Sequence, residues 1–401
     1  MKQQPALKGF LVLLLFERFA WYSFLIALTF FLSDSLNLSN TEVYQPYGTF
    51  LWIVILSPLL IAFIADKYGT LLCFNGGILL TVVGYLTLPL FTGIFQNPAM
   101  DVTLPLLLIS LGAGISRVMI PLQIGLNSQI EGSNKKTYLN FVWYGLLVIL
   151  GGFLANKLTP SHADAINPDK IIFISGGVLA LGYVIWFISN LKNKPFKKNR
   201  LIPEKSFKNH NRSFLLIIIL STSLLSWIIL SFAQSFSLNE LFKSSYNNHS
   251  SITIYKMLAL LIFGLILLKA KPLSNNKLIK IFKYGLLLLM ALLVLMLLDQ
   301  FIIKGFMNQQ SYEIIHILNI IPYTITTTLL LYFVFDNAPP DRKGFYLGLY
   351  VFFVFFASTL SNYMIQVNKS TTLIIFIGSI IIIGLIQLFL HKKPANISKK
   401  H

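Results

Sequence analysis

The chain consists of twelve long apolar runs separated by shorter polar segments. Each run has about the 20 residues that an α-helix needs to cross a bilayer, and none shows the two-residue alternation of a membrane β-barrel strand. Because a helix satisfies its own backbone hydrogen bonds in lipid, the pattern predicts an all-α membrane protein with twelve transmembrane helices. The runs cover 9–31, 46–65, 71–92, 102–125, 138–156, 171–191, 213–236, 251–269, 282–303, 314–335, 345–366 and 372–390.

The segment 192–212 separates the sixth run from the seventh. It is polar, basic and broken by proline, a composition typical of a solvated linker. We therefore predict a six-helix N-terminal half (1–191), a cytoplasmic basic linker (192–212), a six-helix C-terminal half (213–391) and a cytoplasmic tail (392–401). Two six-helix halves around a central linker are similar to the arrangement of the major facilitator transporters, whose substrate site lies at mid-membrane between the halves.

Composition supports the membrane assignment. Of the 401 residues, 55% are hydrophobic and 11% are charged, whereas soluble domains average about 25% charged residues. The single cysteine, Cys73, excludes an internal disulfide and a cysteine-based metal or iron–sulfur site. The first run is too long for a signal peptide and lacks a small-residue cleavage site, so we expect it to remain as a helix.

The net charge of +18 follows from the placement of lysine and arginine in the loops. With both termini inside, the cytoplasmic segments hold 24 of the 32 basic residues, the opposite side holds five, and three lie within spans. This asymmetry indicates a multi-pass protein of the plasma (inner) membrane with both termini cytoplasmic. Since the charge is a topology signal, we expect no nucleic-acid partner.

Glu17 and Arg18 lie in the middle of the first run. An ionisable residue at the centre of a membrane helix costs at least about 2.5–3.5 kcal/mol, so such residues usually mark a pathway. Adjacent positions project about 100° apart on a helix and need not pair, whereas Arg18 and Tyr22 share one face. These residues could line an aqueous cavity, or they could form a structural ion pair with a neighbouring helix.

Arg117 follows a glycine-rich stretch in the fourth run. Gly112 and Gly114 permit close helix approach, and Arg117 is too deep to reach the membrane surface easily. A fixed guanidinium at this depth suits an anionic group of a substrate. The alternative is that it only neutralises Glu17.

Three other polar residues fall within runs of the C-terminal half. Gln234 could serve either packing or substrate binding. Lys256 is close enough to a helix end to reach the membrane surface. His316 is better explained by packing or an interface than by proton relay, although its chemistry suits a relay.

The chain has no enzyme signature. It lacks a phosphate-binding loop, zinc-ligand spacing and a nucleophile elbow. We therefore expect no cofactor and no ATP-driven transport by this chain.

Four stretches together resemble the proton-dependent oligopeptide transporter family, a branch of the major facilitators. The first, ERFAWYSFL (17–25), resembles the first-helix signature ExxERFxxY. The others follow in the family's order: IADKYGT (64–70) resembles the turn after the second helix, GAGISR (112–117) is similar to GTGxxK in the fourth helix, and APPDRKGFYLGLY (338–350) resembles the loop before the eleventh helix.

The resemblance implies that Glu17 and Arg18 belong to a proton-coupling network and that Arg117, where the family has a lysine, receives the peptide carboxylate. Other family positions are not matched. The first glutamate of the signature is replaced by Leu14, and an arginine that contacts the peptide C-terminus is replaced by Leu25. Family glutamates in the seventh and tenth helices correspond to Ala233, beside Gln234, and to Ile317, five residues before Pro322.

The resemblance therefore implies a proton-coupled di- or tripeptide permease that works by alternating access, with a proton gradient as its energy source. Its expected substrate-binding residues are Arg117, Tyr22 and Gln234, and its expected coupling residues are Glu17 and Arg18. Its expected partners are a small-molecule or peptide substrate and the lipid bilayer, and we expect a monomer. The missing family charges leave two alternatives, an uncoupled facilitator or exporter of another small metabolite and a transporter-like receptor that moves no substrate.

Overall fold

The computed structural model describes ten α-helices. It covers residues 5–35, 40–91, 98–130, 134–159, 167–191, 216–228, 231, 275–301, 314, 318, 320–367 and 378, and these residues contain no β-strand. The helices are α1 (Pro5–Phe30), α2 (Asn40–Tyr68), α3 (Thr70–Thr87), α4 (Pro98–Ile130), α5 (Asn134–Leu158), α6 (Pro168–Leu191), α7 (Leu216–Ile228), α8 (Asn275–Phe301), α9 (Ile320–Asn337) and α10 (Lys343–Val367).

Short helical segments of other types adjoin two of these helices. A π-helical segment, Phe31–Ser35, extends α1 at its end. A single 3₁₀ turn, Pro340–Arg342, leads into α10. This turn begins at Pro340, which fits the preference of proline for the first position of a helix, where no backbone donor is needed.

Seven segments are long and apolar enough to cross a membrane. They match the first six predicted runs and the eleventh, and they are Leu7–Ser33, Gln45–Tyr68, Thr70–Thr87, Asp101–Gln129, Thr137–Leu158, Pro168–Asn190 and Pro340–Ser361. The seventh run contains the shorter apolar helix α7, and the ninth and tenth runs overlap α8 and α9. The eighth run lies outside the described residues, as does the twelfth apart from position 378.

The chain divides into two compact units. The first unit is Met1–Phe207 with Ala338–Phe352, and the second is Lys208–Asn337 with Phe353–His401. The first unit therefore contains α1–α6 and the first ten residues of α10. The predicted division into halves at 192–212 stays a prediction, because the linker and the tail lie outside the described residues.

Glycines allow close contact between the helices of the first unit. A Cβ at Gly112 would overlap the Thr81 hydroxyl and the Gly77 carbonyl oxygen, so α3 and α4 approach through their backbones. A Cβ at Gly114 would overlap the hydroxyl of Ser57, so this glycine faces α2. The prediction that Gly112 and Gly114 permit close helix approach is confirmed, and they do so toward two different neighbours.

Prolines lie inside two of the long helices, Pro46 and Pro58 in α2 and Pro105 and Pro121 in α4. Pro58 has no N–H to donate to the carbonyl of Val54, four residues earlier. The Ser57 hydroxyl lies 3.5 Å from that carbonyl oxygen and 3.3 Å from the carbonyl oxygen of Ser110 in α4. A side chain thus supplies a donor where the proline removes one, the usual way in which membrane helices tolerate proline.

Candidate functional site

Glu17 and Arg18 form a buried ion pair in the middle of α1. The Arg18 Nε atom lies 3.0 Å from Glu17 Oε2, and the two side chains are 8% and 3% exposed. The sequence did not predict this contact, because adjacent helical positions project in different directions and need not pair.

Arg18 and Tyr22 both lie against α5, as their four-residue spacing predicts. The Arg18 guanidinium donates to the hydroxyl of Tyr144, with 3.4 Å between nitrogen and oxygen. A Cβ at Gly151 would come within 2.6 Å of the Arg18 Cβ, and one at Gly152 would lie 3.2 Å from the ring of Tyr22. Two successive glycines of α5 therefore make room for these two side chains of α1.

Arg117 stacks on a tryptophan of α1. The centre of its guanidinium lies 3.9 Å from the centroid of the Trp21 ring, and both residues are buried. The Trp21 ring in turn stacks on Phe50 of α2 at 5.8 Å and packs against Phe24 at 6.0 Å. An aromatic cluster from two helices thus holds the guanidinium, and the cation–π attraction is strongest where water is excluded.

These groups form one electrostatic cluster within the first unit. Arg117 interacts electrostatically with Glu17, Arg18, Tyr22 and Tyr85. Tyr144 interacts with both arginines and with Glu17. The cluster therefore contains one carboxylate, two guanidinium groups and three tyrosines, contributed by α1, α3, α4 and α5. We call it the arginine cluster and define it as Glu17, Arg18, Trp21, Tyr22, Tyr85, Arg117 and Tyr144.

The structure brings four of the five residues predicted for the site into this cluster. Gln234 lies outside the described residues, as do Lys256, His316, Ala233 and Ile317. Sequence analysis missed Trp21, Tyr85 and Tyr144. Trp21 could have been found from its place between Arg18 and Tyr22 in the signature, whereas nothing in the sequence marks the two tyrosines.

The two departures from the family pattern on α1 are also described. Leu14 is fully buried, so an apolar side chain occupies the position of the first signature glutamate. Leu25 is half-buried. Neither position contributes a charge to the arginine cluster.

A second polar contact joins α2 to the first turn of α10. The backbone N–H groups of Gly344 and Phe345 donate to Asp66 Oδ1 and Oδ2 at 2.9 and 2.8 Å. Lys343 donates to Gln129 Oε1 at the end of α4, at 2.8 Å. Two of the stretches that carry the family resemblance, 64–70 and 338–350, are therefore in direct contact, which the sequence analysis did not predict.

The described residues contain no group of three or more histidine, cysteine, aspartate or glutamate side chains that could hold a metal ion. Polar side chains of α3, α4 and α5 form hydrogen bonds with each other. Gln123 donates to the Thr70 hydroxyl at 2.9 Å, and Asn140 donates to the Ser128 hydroxyl at 2.7 Å.

Comparison with known proteins identifies the wider family. The family model of the Major Facilitator Superfamily matches residues 10–362. No curated protein has a matching sequence.

Three solved structures share the fold at low sequence identity. A bacterial homologue of the iron transporter ferroportin in an outward-facing state has a TM-score of 0.69 and 13% identity, covering 96% of this chain and 100% of that one. A POT family transporter in complex with 5-aminolevulinic acid has a TM-score of 0.63 and 16% identity, covering 97% and 96%. The human organic anion transporter MFSD10 (TETRAN) has a TM-score of 0.68 and 13% identity, covering 95% and 99%.

Proposed function

Because the chain belongs to the Major Facilitator Superfamily, we propose that it is a proton-coupled permease for di- and tripeptides or similar small solutes that carry a carboxylate. Membership of this superfamily makes it a multi-pass secondary transporter rather than an enzyme, with the all-α twelve-helix fold of such transporters. Its binding partners are accordingly a small molecule or peptide and the lipid bilayer. The peptide-like substrate and the proton coupling are what we propose.

The observation that carries the proposal is the arginine cluster itself. Three ionisable side chains, Glu17, Arg18 and Arg117, are buried within membrane-spanning helices. Each is costly at that depth, and buried ion pairs add little net stability compared with apolar packing. Their presence together therefore favours a role in binding and coupling over a purely structural one.

Arg117 is proposed to bind the substrate carboxylate. Stacking on Trp21 uses the flat face of the guanidinium, while its N–H donors lie in the plane at its edge. A carboxylate is bound by two parallel hydrogen bonds along such an edge. Tyr22 of the same cluster and Gln234 of the C-terminal half are the further substrate-binding residues in this proposal.

Glu17 is proposed to carry the proton. Its carboxyl group can release and take up a proton, and its ion pair with Arg18 requires the charged form. Protonation would remove that ion pair and leave Arg18 with its hydrogen bond to Tyr144. During alternating access, the movement of α1 would then depend on whether Glu17 is protonated.

The first alternative is an uncoupled facilitator or exporter of another small metabolite. The buried leucine at position 14 favours it, because no titratable group occupies the place of a family glutamate. A receptor that moves no substrate is the second alternative, and it has the same support.

The remaining proposals concern membrane placement and assembly. We propose a plasma membrane location with both termini and 192–212 in the cytoplasm, a division into halves at that linker, and a monomeric transporter. The asymmetry of lysine and arginine among the loops supports the orientation.

Uptake by purified protein in proteoliposomes tests the proposal. Dipeptides and 5-aminolevulinic acid are suitable probes. Lys157→Gln is a control variant, because it removes an exposed charge 13 residues from Tyr144 along α5 and should transport like the unmutated protein. Accumulation driven by an inward proton gradient supports the permease. Equilibration that ignores the gradient favours the facilitator, and the absence of flux for every probe favours the receptor.

A further inference from the structure

The first three turns of α8 expose a basic and aromatic face. Lys277 and Lys280 are exposed, and Tyr284 is 68% exposed. Their spacing of three and seven residues places them on one side of the helix. The opposite side is buried through Leu278, Phe282 and Leu286. We call Lys277, Lys280 and Tyr284 the basic face of α8.

The exposed side of α8 changes in character along the helix. Beyond Tyr284 the exposed side chains that the structure describes are apolar, and they include Leu287, Leu288, Val294 and Leu295. At 1.5 Å per residue, Lys277 lies about 10 Å before Tyr284, and Leu295 about 16 Å after it. The order from basic to aromatic to apolar matches the order from lipid headgroup to interface to hydrocarbon.

No acidic residue close in the sequence balances the positive charge of this segment. The chain contains no aspartate or glutamate between Glu240 and Asp299, and Lys269 and Lys271 shortly precede α8 in the sequence. Neither Lys277 nor Lys280 has an ion-pair partner among the residues that the structure describes. Lys283 is half-buried and has interactions of its own, so it is not counted in the basic face.

We propose that the basic face of α8 binds the headgroup of an anionic phospholipid in the leaflet at the N-terminal end of the helix. Residues three apart on a helix have Cβ atoms about 5–6 Å apart, so both ammonium groups can reach one phosphate. The Tyr284 hydroxyl can donate to a second headgroup oxygen from the interface. A zwitterionic headgroup carries its own ammonium group, which competes with the two lysines and weakens its binding.

The basic face of α8 would bind a lipid and not the transported solute, so it does not depend on the proposed substrate and coupling. The general asymmetry of basic residues orients a membrane protein without forming a particular headgroup site. Here two exposed lysines and a tyrosine are aligned on one helical face.

Native mass spectrometry of the full chain with added phosphatidylglycerol or phosphatidylcholine tests the proposal. We expect Lys277→Gln/Lys280→Gln to lower the affinity for phosphatidylglycerol about 30-fold, or about 2 kcal/mol, at about 1 kcal/mol per lysine. Phosphatidylcholine binding should not change. The matched control Lys157→Gln/Lys170→Gln removes two exposed lysines elsewhere and should bind phosphatidylglycerol like the unmutated protein.

Two further measurements keep the result interpretable. Thermal unfolding in phosphatidylcholine nanodiscs should give the same midpoint for both double variants and the unmutated protein, which establishes that they fold. Inorganic phosphate at constant ionic strength should not displace the lipid. The headgroup site would be contradicted if both double variants lost the same amount of affinity for phosphatidylglycerol. Displacement of the lipid by free phosphate would also contradict it.

Discussion

The guanidinium of Arg117 in α4 stacks on the indole of Trp21 in α1, with 3.9 Å between the guanidinium carbon and the ring centroid. Tryptophan is the best aromatic partner for a cation, and a planar guanidinium stacks where an ammonium does not. The pair explains why an arginine is suitable at a position where the resembled family has a lysine. It also ties the proposed carboxylate-binding group to the helix that carries Glu17.

Substitution of Arg117 tests its proposed contact with the substrate. Arg117→Lys keeps the charge but loses the planar edge that binds a carboxylate by two parallel hydrogen bonds, so we expect substrate affinity to fall on the order of 10-fold, or roughly 1.4 kcal/mol. Arg117→Leu should abolish binding. Thermal-shift titration and uptake measure both effects, and normal transport by Arg117→Leu would reduce the residue to a structural counter-ion.

Close packing of α1 on α5 gives a stability prediction. A Cβ at Gly151 would lie 2.6 Å from the Arg18 Cβ and 3.0 Å from the Phe19 backbone nitrogen, so Gly151→Ala must separate the helices. We expect a loss of about 1–3 kcal/mol in the free energy of unfolding, together with reduced transport.

Gly177→Ala is the matched control for this change. A Cβ at Gly177 of α6 would meet nothing within 4 Å, and alanine favours the helix by up to about 1 kcal/mol. Denaturation of both variants in the same detergent measures the difference. Equal stability of the two would contradict the close contact between α1 and α5.

The carboxylate of Asp66 caps the start of α10. Its two oxygens accept from the N–H groups of Gly344 and Phe345, and a negative charge is favourable at a helix N-terminus. Asp66→Asn keeps one acceptor oxygen and loses the charge, so we expect a cost of about 1–2 kcal/mol. Hydrogen exchange should become faster at the Gly344 and Phe345 amides.

Asp341→Asn serves as the control for Asp66. It removes the partner of an exposed pair with Arg342, whose closest atoms are 3.7 Å apart, and exposed pairs contribute about 0–1 kcal/mol. Exchange at the two amides should stay unchanged in this variant. If Asp66→Asn leaves exchange equally unchanged, the cap contributes nothing to the start of α10.

Membrane orientation can be tested by cysteine labelling. In a Cys73→Ser background, Lys198→Cys in the linker should resist a membrane-impermeant maleimide applied to intact cells. Lys170→Cys, predicted to lie on the outer side and exposed at the start of α6, should be labelled. Labelling of Lys198→Cys from outside would reverse the orientation.

The sequence identified the membrane helices because each crossing needs about 20 apolar residues, a local property of the chain. Arg117 and Glu17 could be singled out for a related reason, since a buried charge is costly wherever it occurs. Their partners could not be predicted. The contact between Arg117 and Trp21 depends on how α4 packs against α1, and the contact between Asp66 and α10 joins residues 278 positions apart.

The cluster residues Tyr85 and Tyr144 illustrate the same limit. Each is one of 17 tyrosines in an aromatic-rich chain, and only helix packing distinguishes them from the rest. Even the pairing of the neighbours Glu17 and Arg18 depended on side-chain conformation, which residue spacing does not determine.

The most direct test of the account compares the unmutated protein with Glu17→Gln in proteoliposomes. Glutamine is nearly isosteric with glutamate and cannot ionise, so it keeps the packing of α1 and removes the proposed proton carrier. We predict that Glu17→Gln loses accumulation driven by a pH gradient but retains counterflow exchange of the same solute. Accumulation by Glu17→Gln at the unmutated level would contradict the assignment of the proton to Glu17, and an unmutated protein that ignores the gradient would contradict proton coupling altogether.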